Sequence, residues 1–327
     1  MVPATKGGAL IALAGFGFFA THDAVIKALG GTYSTFQIAF FSVLFGIPLV
    51  LVMLVRDAKP GTLRPRHPGW VAARAGLGVI TGFCAFYAFT QLPLTEVYAI
   101  LFAQPLVITA LSVPMLGERV GPRRWAAVIV GLIGVMIVLQ PGTTEFSLGH
   151  LAALTSAICG SFVSVILRKI GSEERSAVMV LYPMLANLIV MGALMPFVYI
   201  PMPIADLGMT AFLAVLGFCG MLGVLIGYQR AAVSIVAPMQ YSQIIWAVLF
   251  GLIFFNESPK LATLVGTLVI IASGLYIVMR EEGGGTTVAR PVSAGRTLRG
   301  DTAFGMRSGD IMRLFGLREG PERPDKD

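Results

Sequence analysis

The sequence predicts an all-α integral membrane protein with ten transmembrane helices, arranged as two inverted five-helix repeats with both termini cytoplasmic. Three observations carry this expectation. Of the 327 residues, 56% are hydrophobic and 13% charged, and the mean hydropathy is +0.82. Ten apolar runs approach the roughly 20 residues needed to cross a bilayer core. The second observation is an echo: Val97, Gln104 and Glu118 return as Val236, Gln243 and Glu257, each 139 positions later. Five crossings is an odd number, so a duplicated five-span unit must enter the membrane from the opposite side the second time. The third is the placement of positive charge. With the N-terminus inside, the inner connections carry Lys6, Arg56, Lys59, Arg64, Arg66, Arg119, Arg123, Arg124, Arg168, Lys169, Arg175 and Arg230, against Lys27 and Lys260 outside. That asymmetry is the positive-inside pattern.

The runs fall at roughly 9–28, 34–55, 70–90, 95–116, 124–140, 149–168, 177–200, 207–229, 235–255 and 261–279. They lack strict alternation and exceed the length of barrel strands, so they read as helices, which satisfy their own backbone polar groups in lipid. The first run follows Lys6 and has no small-residue cleavage site, so it reads as a mature helix rather than a signal peptide. Connections are short; the longest, Arg56 to Gly69, is rich in Pro and Arg. The halves divide near Pro141 to Gly149. The expected units are thus 1–141, 142–280 and a basic, mostly disordered cytoplasmic tail, 281–327. Within the tail, Asp310 to Arg318 has the pattern of a short amphipathic helix for an anionic lipid surface.

Several functions are disfavoured. Cys84, Cys159 and Cys219 fall inside apolar runs as small hydrophobes, with no disulfide framework. His22, His67 and His150 are far apart and no metal spacing occurs, so neither metal nor cofactor is expected. No intramembrane HExxH or Ser/His constellation suggests an enzyme. The net charge of +7 is scattered over short loops, which favours the membrane over nucleic acid.

Polar residues inside the spans are the candidates for chemistry. Asp23 lies roughly 7 Å outward from the middle of the first helix. Burying it against lipid costs about 2.5–3.5 kcal/mol on insertion scales, so a polar cavity or a partner is expected. Lys27 follows one turn later in the favourable i,i+4 order, and His22 is a titratable neighbour. These two, with Arg230, are the coupling or gating candidates. An ion pair of Asp23 with a snorkelling Lys27 is the structural alternative. Glu96 opens the fourth helix, where the dipole favours an acid and Thr95 is a possible cap. Gln104 and Gln243, deep in the membrane and related by the repeat, are expected near the pseudo-symmetry axis, facing substrate or another helix. Tyr98, Tyr241 and Trp246, with Gln240 and Ser242, enrich the same helices in amphipathic groups, and Tyr87 and Tyr228 are expected to add aromatic walls. Glu118 reads as a local partner of Arg119, Arg123 and Arg124. Gly131, Gly134, Gly266 and Gly274 suit close helix packing.

The repeated five-helix unit, the helix ends Gly117-Glu118-Arg119 and Asn256-Glu257-Ser258, and the Gly-rich helices after them resemble the EamA-type transporters of the drug/metabolite transporter superfamily, over about residues 8–280. The resemblance makes 1–141 and 142–280 the two EamA-like repeats and implies a central cavity lined by both. Members of that superfamily carry amino acids, nucleotide-linked compounds, vitamins, S-adenosylmethionine and other metabolites. Many have an Arg in the second helix where this chain reads Phe40-Phe41-Ser42, which makes a strongly anionic substrate less attractive. The segment His22 to Lys27 is similar to members with an acid and a Lys on helix one. The expected function is therefore a secondary transporter in the bacterial inner membrane. It would move a small organic metabolite, cationic, zwitterionic or aromatic, by alternating access, with proton coupling or exchange as candidate drives. Asp23, Tyr87, Glu96, Tyr98, Gln104, Tyr241, Gln243 and Trp246 are the expected substrate-binding residues. The expected partners are a small-molecule substrate and the lipid bilayer, with no nucleic acid, in a monomer or homodimer. The alternative is a membrane scaffold or sensor whose basic tail binds a cytoplasmic partner.

Overall fold

The computed structural model describes residues 6–56, 63–118, 120–140, 146–231 and 233–283. Arg119, Lys59 and the segment 310–318 lie outside the described residues. The first repeat supplies α1 (Lys6–Gly30), α2 (Thr35–Arg56), α3 (Pro68–Gln91), α4 (Leu94–Leu101), α5 (Gln104–Leu116) and α6 (Pro122–Leu139). The second supplies α7 (Leu148–Ile170), α8 (Ser176–Val198), α9 (Ile204–Arg230), α10 (Val233–Met239), α11 (Ser242–Phe254) and α12 (Leu261–Gly283). Among the described residues these make ten spans long and apolar enough to cross a membrane, with α4–α5 and α10–α11 each counting as one. The last helix runs three residues past position 280, where the tail was expected to begin.

The fourth and ninth runs were expected as continuous helices and are both broken. Pro105 has no N–H to offer the Leu101 carbonyl, so the ladder fails there. Short i→i−3 bonds carry the chain through the break, from Ala103 N–H to Ile100 O and from Leu106 N–H to Ala103 O. In the second repeat the break at Gln240–Tyr241 follows Pro238 and is bridged in the same way, Tyr241 N–H donating to Pro238 O. Phe102 and Tyr241, equivalent positions of the two repeats, meet edge to face with ring centroids 5.1 Å apart. The pseudo-symmetry axis therefore passes between the two breaks.

The repeats interleave rather than sit side by side. The first helix of each packs along the third helix of the other: α1 on α9, and α7 on α3. The last helices, α6 and α12, pack on each other, and α2 lies against α8 and α9. Glycines set the close approaches. A Cβ on Gly15 would stand 2.6 Å from the Val224 backbone nitrogen, and Gly223 and Gly227 face α1 equally tightly. Gly134 and Gly266 oppose each other across α6 and α12: a Cβ on Gly266 would lie 2.6 Å from the Gly134 carbonyl oxygen. Small residues allow such approach where lipid supplies no hydrophobic drive for association. The outward sides of the helices carry exposed Leu, Ile, Val and Phe, such as Ile129, Ile133, Ile189, Phe254 and Leu268.

The sealing contacts at the two faces repeat as well. On the face of the α1–α2 turn, the Tyr33 hydroxyl donates to Asp206 at 2.5 Å, and buried Gln37 clasps Ile200 through both its amide atoms, at 2.7 and 3.0 Å. On the other face, His67 at the start of α3 pairs with Glu173 at 2.6 Å, and its backbone N–H donates to Glu174 at 2.5 Å. His67 and Asp206 are 139 positions apart. The hydrogen bond to Asp206, together with burial, holds the Tyr33 phenol above its ordinary value.

Candidate functional site

Both helix breaks open onto one small cavity. Thr81, Tyr98, Leu101, Phe102, Gln104, Ser156, Gln240 and Gln243 line it, and its volume is about 20 Å³, room for about one water. Two elements from each repeat enclose it: α3 with the α4–α5 break, and α7 with the α10–α11 break. Gln104 begins α5 and lies against Gly160 of α7, where a Cβ would come within 2.6 Å of its amide nitrogen. Gln243 is 2% exposed, and its side-chain nitrogen has no hydrogen-bond partner. A buried amide donor left unsatisfied costs on the order of 1–3 kcal/mol.

Behind the cavity lies a polar chain. Asp23 of α1 is fully buried and accepts a hydrogen bond from the Tyr98 hydroxyl. His22 Nδ1 contacts its other oxygen at 2.9 Å, and the His22 ring rests edge to face on Phe86. Tyr98 therefore links a wall of the cavity to a buried carboxylate, the partner that insertion cost requires.

Lys27 does not snorkel outward, as the structural alternative supposed. Its ammonium reaches Glu257 at 2.8 Å and the Leu92 carbonyl at 2.6 Å, and sits over the Phe255 ring. Thr95 is not the cap of α4. Pro93, with φ fixed near −56°, occupies the N-cap position, and the orphan N–H of Leu94 donates to Glu257 at 3.2 Å. Glu96 pairs with Lys260 at 3.1 Å and His150 at 3.3 Å. His150 also closes the capping box of α7 with Ser147. Glu118 pairs with Arg168 of α7 at 2.5 Å, a partner from the other repeat; Arg119, one of its expected loop partners, lies outside the described residues.

The remaining predicted residues are placed outside the cavity wall. Tyr87 stacks beyond Phe83, which itself stacks on Phe36. Trp246 lies by Gly17 of α1 and against Phe250. The Tyr241 hydroxyl points at Gly274 of α12. Arg230 is exposed at the end of α9. Thr81, Ser156 and Gly160 also shape the cavity, and Arg74 is a buried guanidinium bonded to the Met179 carbonyl at 2.6 Å; none of the four stood among the expected site residues. An arginine inside the third apolar run was a signal available for Arg74. The others are ordinary small residues with none.

Known proteins resemble this chain over most of its length. An S-adenosylmethionine uptake transporter of Rickettsia conorii is 28% identical over 83% of this chain and 94% of its own length. A pseudopaline exporter of Pseudomonas aeruginosa is 24% identical over 85% of this chain and 98% of its own. A riboflavin transporter of Vibrio cholerae is 28% identical over 74% and 87%. A solved crystal structure matches the fold with a TM-score of 0.53 at 20% identity, covering 86% of this chain and 99% of its own. With ten apolar spans, these likenesses mark a multi-pass inner-membrane transporter of small molecules, not an enzyme. The sequence pattern of the EamA-like transporter family matches twice, over residues 6–140 and 147–279, and the chain belongs to that family.

Proposed function

We propose that the chain is an alternating-access carrier for a small cationic, zwitterionic or aromatic metabolite. Both termini lie in the cytoplasm, and the two repeats, 1–141 and 142–280, share one binding site. The observation that carries this reading is the cavity between the two helix breaks, with Gln243 presenting an unsatisfied amide and Tyr98 tied to buried Asp23. Broken helices with polar groups at the break, near the axis between inverted repeats, are where secondary transporters hold substrate. Asp23 is reached from the cavity through Tyr98, and Gln104, Gln240 and Gln243 offer both donors and acceptors. That surface suits a ligand carrying a positive or zwitterionic group beside a ring. The relatives named for S-adenosylmethionine, pseudopaline and riboflavin fit an organic cargo of this breadth.

At about 20 Å³ the cavity is smaller than any such ligand. Substrate admission requires the halves to part on one face. The Asp23–His22 pair is the group proposed to carry a coupling proton. Competitive uptake of a metabolite panel into proteoliposomes, with and without a pH gradient, tests both parts. Uptake of cationic or zwitterionic compounds that accelerates with the gradient supports them. Uptake confined to anions overturns the substrate class, and indifference to the gradient overturns proton coupling.

A further inference from the structure

Glu118 and Glu257 occupy equivalent places in the two repeats, and the chain builds the same local device around each. Gly117 and Asn256 take left-handed backbone angles, with φ of 71° and 52°. The following Glu N–H then turns back to a carbonyl six residues earlier, Ser112 at 3.3 Å and Gly251 at 2.8 Å. This left-handed return ends both helices in the same way, one residue wider than a Schellman turn. Each Glu meets a cation from the last turn of the other repeat's first helix. Lys27 of α1 lies 2.8 Å from Glu257, and Arg168 of α7 lies 2.5 Å from Glu118. The side chains are 12% and 21% exposed in the first pair and 19% and 23% in the second. Both are thus better shielded than an ordinary surface ion pair, and each bridges two repeats. They lie on opposite faces, with the small cavity between them.

We propose that Lys27–Glu257 and Arg168–Glu118 are the two gates of the transport cycle, broken one at a time to expose the cavity to one face and then the other. The proposal rests on the alternating-access reading. A carrier built this way needs two closures of similar strength, and inverted duplication supplies the same ion pair twice. The closures are not identical. The Lys27 face is reinforced by the Leu92 carbonyl, by the Leu94 N–H and by the neighbouring Glu96–Lys260–His150 cluster. The Arg168 face has a second Arg168–Glu118 contact at 3.4 Å, the His67 contacts to Glu173 and Glu174, and Lys169 reaching the Met115 carbonyl at 3.4 Å.

The test uses the full chain with Cys84, Cys159 and Cys219 replaced by Ser and Ser156→Cys as a reporter in the cavity wall. A parallel set carries Thr81→Cys in case the first reporter inserts poorly. A membrane-impermeant maleimide is applied to right-side-out and inside-out vesicles. Glu257→Gln keeps the acceptor for the Leu94 N–H and removes only the charge. It is expected to raise labelling about fivefold or more from the Lys27 face alone, and Glu118→Gln from the Arg168 face alone. The exchange Lys27→Glu with Glu257→Lys should return labelling toward the parent. An equal rise from both faces, no rise in either inserted variant, or no recovery in the exchange overturns the gates. Uptake by the parent chain is read separately. Normal uptake with labelling indifferent to face refutes the gates and leaves the carrier standing, whereas absent uptake refutes the carrier.

Discussion

Gly15→Ala is expected to loosen the α1–α9 seam, and the size of the effect follows from geometry. An alanine Cβ at position 15 would stand 2.6 Å from the Val224 nitrogen and 2.9 Å from the Gly220 carbonyl oxygen. Favourable heavy-atom contact begins near 3.5 Å, so α1 and α9 must part by about 0.9 Å at this point. The obstructing atoms are backbone and cannot rotate away. Gly220, Gly223 and Gly227 make the same seam, so the separation weakens contacts along its length. Overpacking of this kind costs about 1–3 kcal/mol, which corresponds, for a chain of 327 residues, to a drop of about 1.5–4.5 °C in the thermal transition. Gly76 is the control, since a Cβ there meets nothing within 4 Å. A thiol-reactive dye reading the half-buried Cys84, Cys159 and Cys219 in detergent follows the transition directly. If Gly15→Ala and Gly76→Ala melt alike, helix separation at this seam is not set by glycine and the packing argument fails.

Other expectations concern the polar contacts. Tyr98→Phe removes a charge-assisted hydrogen bond from buried Asp23, with a stability loss of about 1.5–3 kcal/mol. Denaturation of Tyr98→Phe and of Tyr98→Phe with Asp23→Asn checks this, and the double variant should recover part of the loss. Tyr33→Phe should destabilise the chain at neutral pH. Because the folded phenol titrates above the ordinary 10.0, the contribution is fully present below pH 10 and disappears as pH rises through the folded value. Thermal transitions of wild type and variant should therefore converge only in strong alkali, and convergence near neutrality would refute the pairing. Truncation after Gly283 should leave transport in vesicles intact; its loss would favour the scaffold role for the tail.

The spans were legible because lipid demands long apolar runs, and the duplication because equivalent residues recur at a fixed spacing. Gln104 and Gln243 were legible through the repeat itself. The helix breaks beside them were not, although Pro105 and Pro238 were in view, because a proline within an apolar run is compatible with a kinked continuous helix. Pairings across the repeats were also hidden. Lys27 had a near acid in sequence, Asp23, yet its ammonium engages Glu257, brought beside it only by interleaving of the halves. Glu96 takes His150 and Lys260 for the same reason. Thr95 was a sound cap on residue type alone. Pro93 displaced it because a fixed φ with no N–H suits a helix start, and Glu257 supplies the acceptor from a distant part of the chain.

The central claim is that one site is shared by the two repeats at their broken helices. Initial uptake rates for Gln104→Ala and Gln243→Ala in proteoliposomes, with insertion and folding verified, test it most directly. The account predicts that each variant raises the half-saturating substrate concentration about tenfold, as expected for loss of a buried hydrogen bond to ligand, with the two effects of similar size. Kinetics untouched in both variants would contradict it.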